Sequence, residues 1–325
     1  MKILIDCFGC DNPKEWTMGI ADAINQVDGV SIIAVGDRDF IEDSLSGETF
    51  DRSRLEIVHT TEMITNDDFP AEAIRKKRDS SLVRALKMLR DDDSIKALIS
   101  AGSTGAVLVG SIVIIGNCEG VERPGLSALM PCDNGKTVLI ADCGANMDCD
   151  ADNLLDFARY GSSYIKSVYG IEKPAVALLS VGVEDKKGNN LTKEAFALLK
   201  ESGLNFVGNM EARDALSGKY DVIVTDGFPG NVLIKSFEGA AKTVSGMMAQ
   251  YLMKNAPKDT DLSFVKKSFG QLGAALDTSS TGGAVLLGLK KIVIKSHGNA
   301  TAINTVNSIK QAKKMIEGGY LDDLG

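Results

Sequence analysis

The residues best suited to chemistry cluster where β-branched runs end in glycine. Around position 221 the chain reads Asp221-Val-Ile-Val-Thr-Asp226-Gly-Phe-Pro-Gly-Asn231, and a long helical pattern follows. A strand, a glycine turn and a helix start together present backbone N–H groups to an anion. The same grammar recurs at Ile99-Ser-Ala-Gly-Ser-Thr-Gly105, Ile140-Ala-Asp-Cys-Gly-Ala-Asn146 and Ile294-Lys-Ser-His-Gly-Asn299. Several polar, glycine-rich strand ends predict one cleft that holds something negatively charged. In the second of these, Asp142 and Asn146 can orient a ligand or cap the next helix, and capping is the commoner use.

Two further segments carry charge at strand ends. The loop Gly182-Val-Glu-Asp-Lys-Lys-Gly-Asn-Asn-Leu191 puts Glu184, Lys186 and Lys187 after an apolar run. A lysine there can neutralise a phosphate or a developing oxyanion; such a loop serves equally as a solvated charged turn. His297 stands beside Gly298 at a strand–helix junction, which suits a catalytic imidazole as well as a structural one.

The elements that must position these residues alternate along the chain. Apolar runs predict strands at 3–6, 31–35, 55–59, 97–100, 175–181, 205–207, 221–225 and 292–295. Amphipathic patterns predict helices at 14–26, 71–89, 104–115, 153–169, 192–201, 231–253 and 300–316. This is the βαβ rhythm of a mostly parallel sheet in a three-layer α/β/α arrangement. Asn134-Gly135 between the runs 126–130 and 137–141 is a hairpin signal, so an antiparallel element interrupts the parallel sheet. Residues 1–325 form a single α/β catalytic domain, as one unit or as two intimate subdomains sharing a cleft. The weakest stretch is 254–261. Before it, Val244, Met247, Met248, Tyr251 and Leu252 make one apolar helix face, fit for the protein's own core, a partner subunit or a membrane surface.

Composition removes several function classes. The formal charge of −8 repels nucleic acid and acidic lipid, so an acidic partner needs a local basic patch. The dense basic run Arg75-Lys-Lys-Arg78 is that patch, or else a solvated helix face. Met1 leads directly into a strand with no signal peptide, and the chain reads as cytoplasmic. With two histidines a His-rich metal site is excluded. Cys7 and Cys10 form a C-x-x-C without the second pair that a four-thiolate zinc site needs, and Cys143 and Cys149 have the wrong spacing. No metal and no cofactor are expected. The nucleophile elbow, the Walker lysine motif and the G-x-G-x-x-G fingerprint are all missing.

Together these motifs resemble the PlsX-type phosphate acyltransferases of bacterial phospholipid synthesis. The matching stretches are Asp6 to Asp11, Ile74 to Ser81, Ala101 to Ala106, Glu122-Arg-Pro124, Asp142 to Asn146 and Gly182 to Asn189. Phe206 to Glu211, Asp221 to Lys235, Gly282 to Leu289 and Ser296-His-Gly298 complete the set. Two departures stand out. The family's opening loop usually reads Asp-x-Met-Gly-Gly-Asp, where Cys7, Phe8 and Cys10 intrude, and Asn299-Ala-Thr301 replaces the serines that tend to follow His297-Gly298.

The resemblance implies a fold like the isocitrate-dehydrogenase and phosphotransacetylase group, a homodimer and loose peripheral membrane association. It implies a reaction in which an acyl chain on acyl carrier protein passes to inorganic phosphate. Phosphate is already an anionic nucleophile and a thiolate is a good leaving group, so the enzyme needs positioning and oxyanion stabilisation more than a nucleophile of its own. On this reading phosphate sits at the helix start carrying Gly227 and Gly230, helped by Ser103, Thr104, Gly105 and Asn146. Lys187, with Lys186 and Glu184 beside it, offsets charge, while Asn231 and His297 contact the thioester oxygen or the departing sulfur. Arg75, Lys76, Lys77 and Arg78 then meet the acidic carrier protein. The nearest alternative is a phosphotransacetylase-like enzyme that takes its acyl group from coenzyme A.

Overall fold

The computed structural model describes residues 1–257, 260–276 and 278–323. Its first half runs β1 (Lys2–Asp6), α1 (Pro13–Gln26), β2 (Ser31–Gly36), α2 (Arg38–Ser44), β3 (Leu55–His59), α3 (Pro70–Lys76), α4 (Ser81–Asp91), β4 (Ile95–Ser100) and α5 (Thr104–Gly110). The hairpin β5 (Gly125–Pro131) and β6 (Thr137–Ala141) follows, then α6 (Ala151–Tyr169), β7 (Val176–Ser180), α7 (Asn190–Glu201), β8 (Phe206–Glu211) and β9 (Val222–Val224). The last part holds α8 (Gly227–Asn255), α9 (Ser263–Leu276), β10 (Ala284–Leu287), β11 (Ile292–Lys295) and α10 (Ala302–Glu317).

Three local readings differ from expectation. The helix expected over 71–89 is two helices, because Ser80 caps the second by accepting from the Val83 amide at 3.4 Å. The seven-residue α2 is too short to show periodicity and is announced only by its cap, Asp37, which accepts from the Phe40 amide at 3.0 Å. The four-residue β10 follows Gly282-Gly283 and was not expected as a strand. Of the weak stretch at 254–261, Lys258 and Asp259 lie outside the described residues.

All the described strands join one sheet in the order β3-β2-β1-β4-β11-β10-β5-β6-β9-β7-β8. From β3 to β11 the pairing is parallel, and from β6 to β8 it is parallel again. Between these blocks β10 is antiparallel to both β11 and β5, and β5 is antiparallel to β6. That is an odd number of reversals, so the two parallel blocks point in opposite directions. The strand ends at Ser100 and Lys295 emerge on one edge, and those at Ala141, Ser180 and Val224 on the other.

The helices cover both faces. Helices α1, α2, α6, α7 and α10 close one core, around Trp16, Phe157, Tyr164 and Ile309. Helices α3, α4, α5 and the start of α8 close the other, around Leu86, Val107, Met130 and Ile234. Beyond Ile234 no residue of α8 is buried, and none of α9 is. The two helices pack on each other and leave Met247, Met248, Tyr251 and Phe264 exposed. No described helix is long and apolar enough to cross a membrane.

Candidate active site

A cavity of about 510 Å³ lies on the second face, over the antiparallel strands β5 and β10 and between α5 and α8. Alternate residues of β5, Leu126, Ala128 and Met130, give it an apolar floor, as the two-residue period of a strand requires. Thr104 and Gly105 at the start of α5 form one wall, and Asn231, Ile234, Lys235 and Glu238 of α8 form the other. Gly282 to Ala284 and Lys295 to Gly298 close one end, while Cys143 and Gly144 close the opposite end. The antiparallel centre therefore lets loops from both sheet edges reach a single cavity.

At the Cys143 end the organiser is Asp142. Its fully buried carboxylate accepts from the amides of Leu126, Gly144 and Ala145 at 3.1 Å each and from that of Asn146 at 2.7 Å. Burial raises its pKa, and these donors oppose the rise. The Asn146 side-chain amide bridges Asp142 and the Pro124 carbonyl, so it builds the loop. The start of α8 is pressed against this loop. A Cβ on Gly227 would sit 2.7 Å from the Asn146 carbonyl, and one on Gly230 would collide with the Asp142 carbonyl. The Gly227 amide donates to Asn146 O at 2.7 Å and the Gly230 amide to Asp226 O at 3.2 Å. These two glycines permit a close backbone approach that delivers Asn231 to the cavity.

At the other end Asp6, also buried, accepts from Ser100 Oγ at 2.8 Å and from the Phe8 amide at 3.3 Å. Desolvation raises its pKa. The Ser296 amide donates to Ser100 O at 2.8 Å, and the Asp11 amide to Gly298 O at 2.8 Å, which ties the Ser296-His297-Gly298 segment to β4 and to the first loop. Lys295 is only 7% exposed, and its Nζ donates to the carbonyls of Ser296 and, at 3.5 Å, Ala101. Desolvation brings its pKa down to about 8. Burial pushes the thiols of Cys7 and Cys10 up, the latter to about 11, so neither is a thiolate near neutral pH. Among the described residues the cysteines are free, and no group of His, Cys, Asp and Glu is arranged to hold a metal ion.

Of the residues singled out from the sequence, Thr104, Gly105, Asn231 and His297 line the cavity, and Ser103 holds the N-cap position of the helix that carries the first two, without a side-chain capping hydrogen bond. Gly227, Gly230 and Asn146 form the junction behind Asn231. Glu184, Lys186 and Lys187 are exposed on the loop after β7 and are not among the cavity's lining residues. That loop continues into Gly188 and Asn189, which border a separate, largely apolar hollow of about 410 Å³ beside Pro229, Val232 and Leu233. In the basic run Lys76 pairs with Glu72 and Lys77 with Asp68 at 2.6 Å, while Arg75 and Arg78 stay exposed. Sequence reasoning missed Lys295, Lys235 and Glu238. A lysine closing an otherwise apolar strand was the available signal for Lys295.

The architecture is that of the phosphotransacetylase fold. A phosphotransacetylase structure from Streptococcus pyogenes superposes with a TM-score of 0.64 at 18% identity, covering 97% of this chain and 94% of that one. The family described as "Fatty acid synthesis protein" matches residues 1–322. A phosphate acyltransferase of Clostridioides difficile (strain 630) is 42% identical over 100% of this chain and 95% of its own length. One from Oceanobacillus iheyensis is 44% identical over 98% of this chain and 94% of its own. The chain belongs to this family of phosphate acyltransferases.

Proposed function

We propose that the protein transfers a fatty acyl group from the thioester of acyl carrier protein to inorganic phosphate, forming acyl phosphate for phospholipid synthesis. The observation that carries this reading is the cavity's division of labour. An apolar floor of Leu126, Ala128 and Met130 meets a polar end built from Thr104, Gly105, Lys295 and His297. A phosphate oxygen attacks the thioester carbonyl, the tetrahedral oxyanion collapses, the C–S bond breaks, and the carrier thiolate leaves and is protonated. Holding phosphate and thioester together in attack geometry supplies most of the acceleration. Asn231 Nδ2 and His297 are the side-chain groups set to donate to the carbonyl oxygen or the departing sulfur.

Helix α3 packs beside the cavity wall, with Pro70 in the space a Cβ on Gly105 would need. The exposed Arg75 at its end, the exposed Arg78 just beyond it and the exposed Phe69 at its start suit an acidic carrier protein brought to the cavity mouth. The bare faces of α8 and α9 suit a second copy of the chain in a homodimer or a loose contact with a membrane; sedimentation and vesicle flotation test these. The central test offers acyl carrier thioester and coenzyme A thioester separately with phosphate, and traps acyl phosphate with hydroxylamine. Turnover with the carrier thioester supports the proposal. Turnover with coenzyme A thioester alone shifts the reading to a phosphotransacetylase-like donor, and no hydroxamate from either rejects both.

A further inference from the structure

Three lysines invite comparison as the cation for a bound anion. Lys187 is exposed outside the cavity. Lys235 lines the cavity, but its Nζ lies 2.8 Å from Glu238, whose other oxygen accepts from Thr278 Oγ1 at 3.0 Å. Its charge is already met. Lys295 lines the cavity, is 7% exposed, and among the described residues forms no ion pair with a carboxylate.

We propose that Lys295 is the cation that holds inorganic phosphate in this cavity, at the end formed by Lys295 to Gly298 and facing Thr104 and Gly105. This rests on the phosphate-acyltransferase reading of the site and deepens it. An ammonium has three donors. Two carbonyls, those of Ser296 and Ala101, engage this one, and a carbonyl neutralises no charge. A buried lysine without a contacting carboxylate is disfavoured in the charged state, and the arrival of a dianion reverses that. Lys295 has a pKa of about 8, lowered by burial and partly restored by the carboxylates of Asp11 and Asp6. His297 on its own loop, Lys235 and Glu238 across the cavity, and the Cys143 thiol, which burial pushes up, at the far end are the other charged or titratable groups lining the site. Lys295 is thus still largely protonated near neutral pH, and phosphate binding raises its proton affinity. The adjacent strand end at Ser100 and the Asp6 carboxylate it binds hold the lysine's surroundings in place.

The test is calorimetric titration of inorganic phosphate into the full chain, the wild type beside Lys295→Met, Lys295→Arg and Lys219→Ala. Loss of one charge-assisted contact corresponds to a Kd raised about 10- to 100-fold in Lys295→Met. Lys219→Ala, at an exposed lysine outside the cavity lining, stays within about threefold of the wild type, as an exposed charge does. Near pH 9 the wild type takes up a proton on binding phosphate, seen as a heat that depends on the buffer; Lys295→Arg, always charged, binds without that uptake. Met is close to lysine in volume and carries no charge to bury, and thermal melting checks that it folds. Phosphate binding by folded Lys295→Met within twofold of the wild type overturns the proposal. So does proton uptake that persists in Lys295→Arg, or wild-type protein that binds no phosphate. Phosphate binding lost with Lys295 while no thioester yields acyl phosphate rejects the proposed function and leaves the Lys295 assignment standing. Acyl phosphate formed equally by wild type and Lys295→Met, with one KM for phosphate, rejects the assignment and leaves the function standing.

Discussion

Lys295 and Lys187 both belong to polar, glycine-containing segments that follow strands, Lys295 closing β11 and Lys187 in the loop after β7, yet the molecule treats them in opposite ways. Lys295 ends β11 on one sheet edge, under the covering layer, with carbonyls for company. Lys187 follows β7 on the opposite edge, in water, on a loop whose main internal tie is its amide donating to Glu184 O at 3.0 Å. A charge on the first is expensive to hide and therefore useful to a ligand. A charge on the second is solvated and cheap. Local grammar alone does not distinguish a working cation from a surface one; burial does.

The same contrast of burial separates the loop after β6 from the loop after β7, and the largest expected effect tests it there. Asp142→Ala removes a buried carboxylate that satisfies several amides at once, so unfolding free energy falls by about 3 kcal/mol or more, seen in chemical denaturation. Glu184→Ala on the exposed loop changes it by about 0.5 kcal/mol or less. Equal losses would erase the distinction between the loops.

Next in size are the groups proposed to touch the reacting atoms. His297→Ala and Asn231→Ala each lower kcat by about 10²–10³ while the protein stays folded, whereas Lys187→Ala lowers it by less than about tenfold. A Lys187→Ala loss as deep as the other two would return that loop to the centre of the chemistry. Gly230→Ala tests the junction behind Asn231. Its methyl meets the Asp142 carbonyl, α8 shifts, and kcat falls by up to about 10² with a smaller change in the phosphate KM.

The smallest effect concerns pH. The folded-state pKa of Lys295 lies below its unfolded value, so between about 8 and the ordinary lysine range the unfolded chain binds more protons than the native one. Ligand-free protein therefore gains stability from this group as pH rises through that window. Phosphate, by keeping the lysine charged, has its stabilising effect shrink over the same window. Melting temperatures with and without phosphate across pH show a gap that narrows above about 8 in the wild type and is small throughout in Lys295→Met.

Much of this molecule was legible in its residues. The alternation of β-branched runs and amphipathic segments marked most strands and helices, and Asn134-Gly135 marked the β5–β6 hairpin, because turn chemistry and side-chain periodicity act over a few residues. Thr104, Gly105, Asn231 and His297, which the fold gathers around one cavity, stand out in the sequence because glycine turns and lone polar groups at strand ends are local signals. What local signals do not carry is direction. The reversal that sends Lys187 and Lys295 to opposite edges depends on β10, four residues long, pairing with β11 on one side and with β5, far away in sequence, on the other.

By itself, then, the sequence determined the layered α/β class, the turns and the set of groups available for anion chemistry, since each follows from propensity and spacing within a short stretch. Tertiary structure decided which strand ends share a cavity and which lysine is buried there. Gly227 and Gly230 show the same division, as turn glycines in the sequence and as points of close backbone contact with loop 142–146 in the fold. Those outcomes rest on long-range pairing and on desolvation, and a charge's worth to a ligand is set by the dielectric around it rather than by its neighbours in the chain.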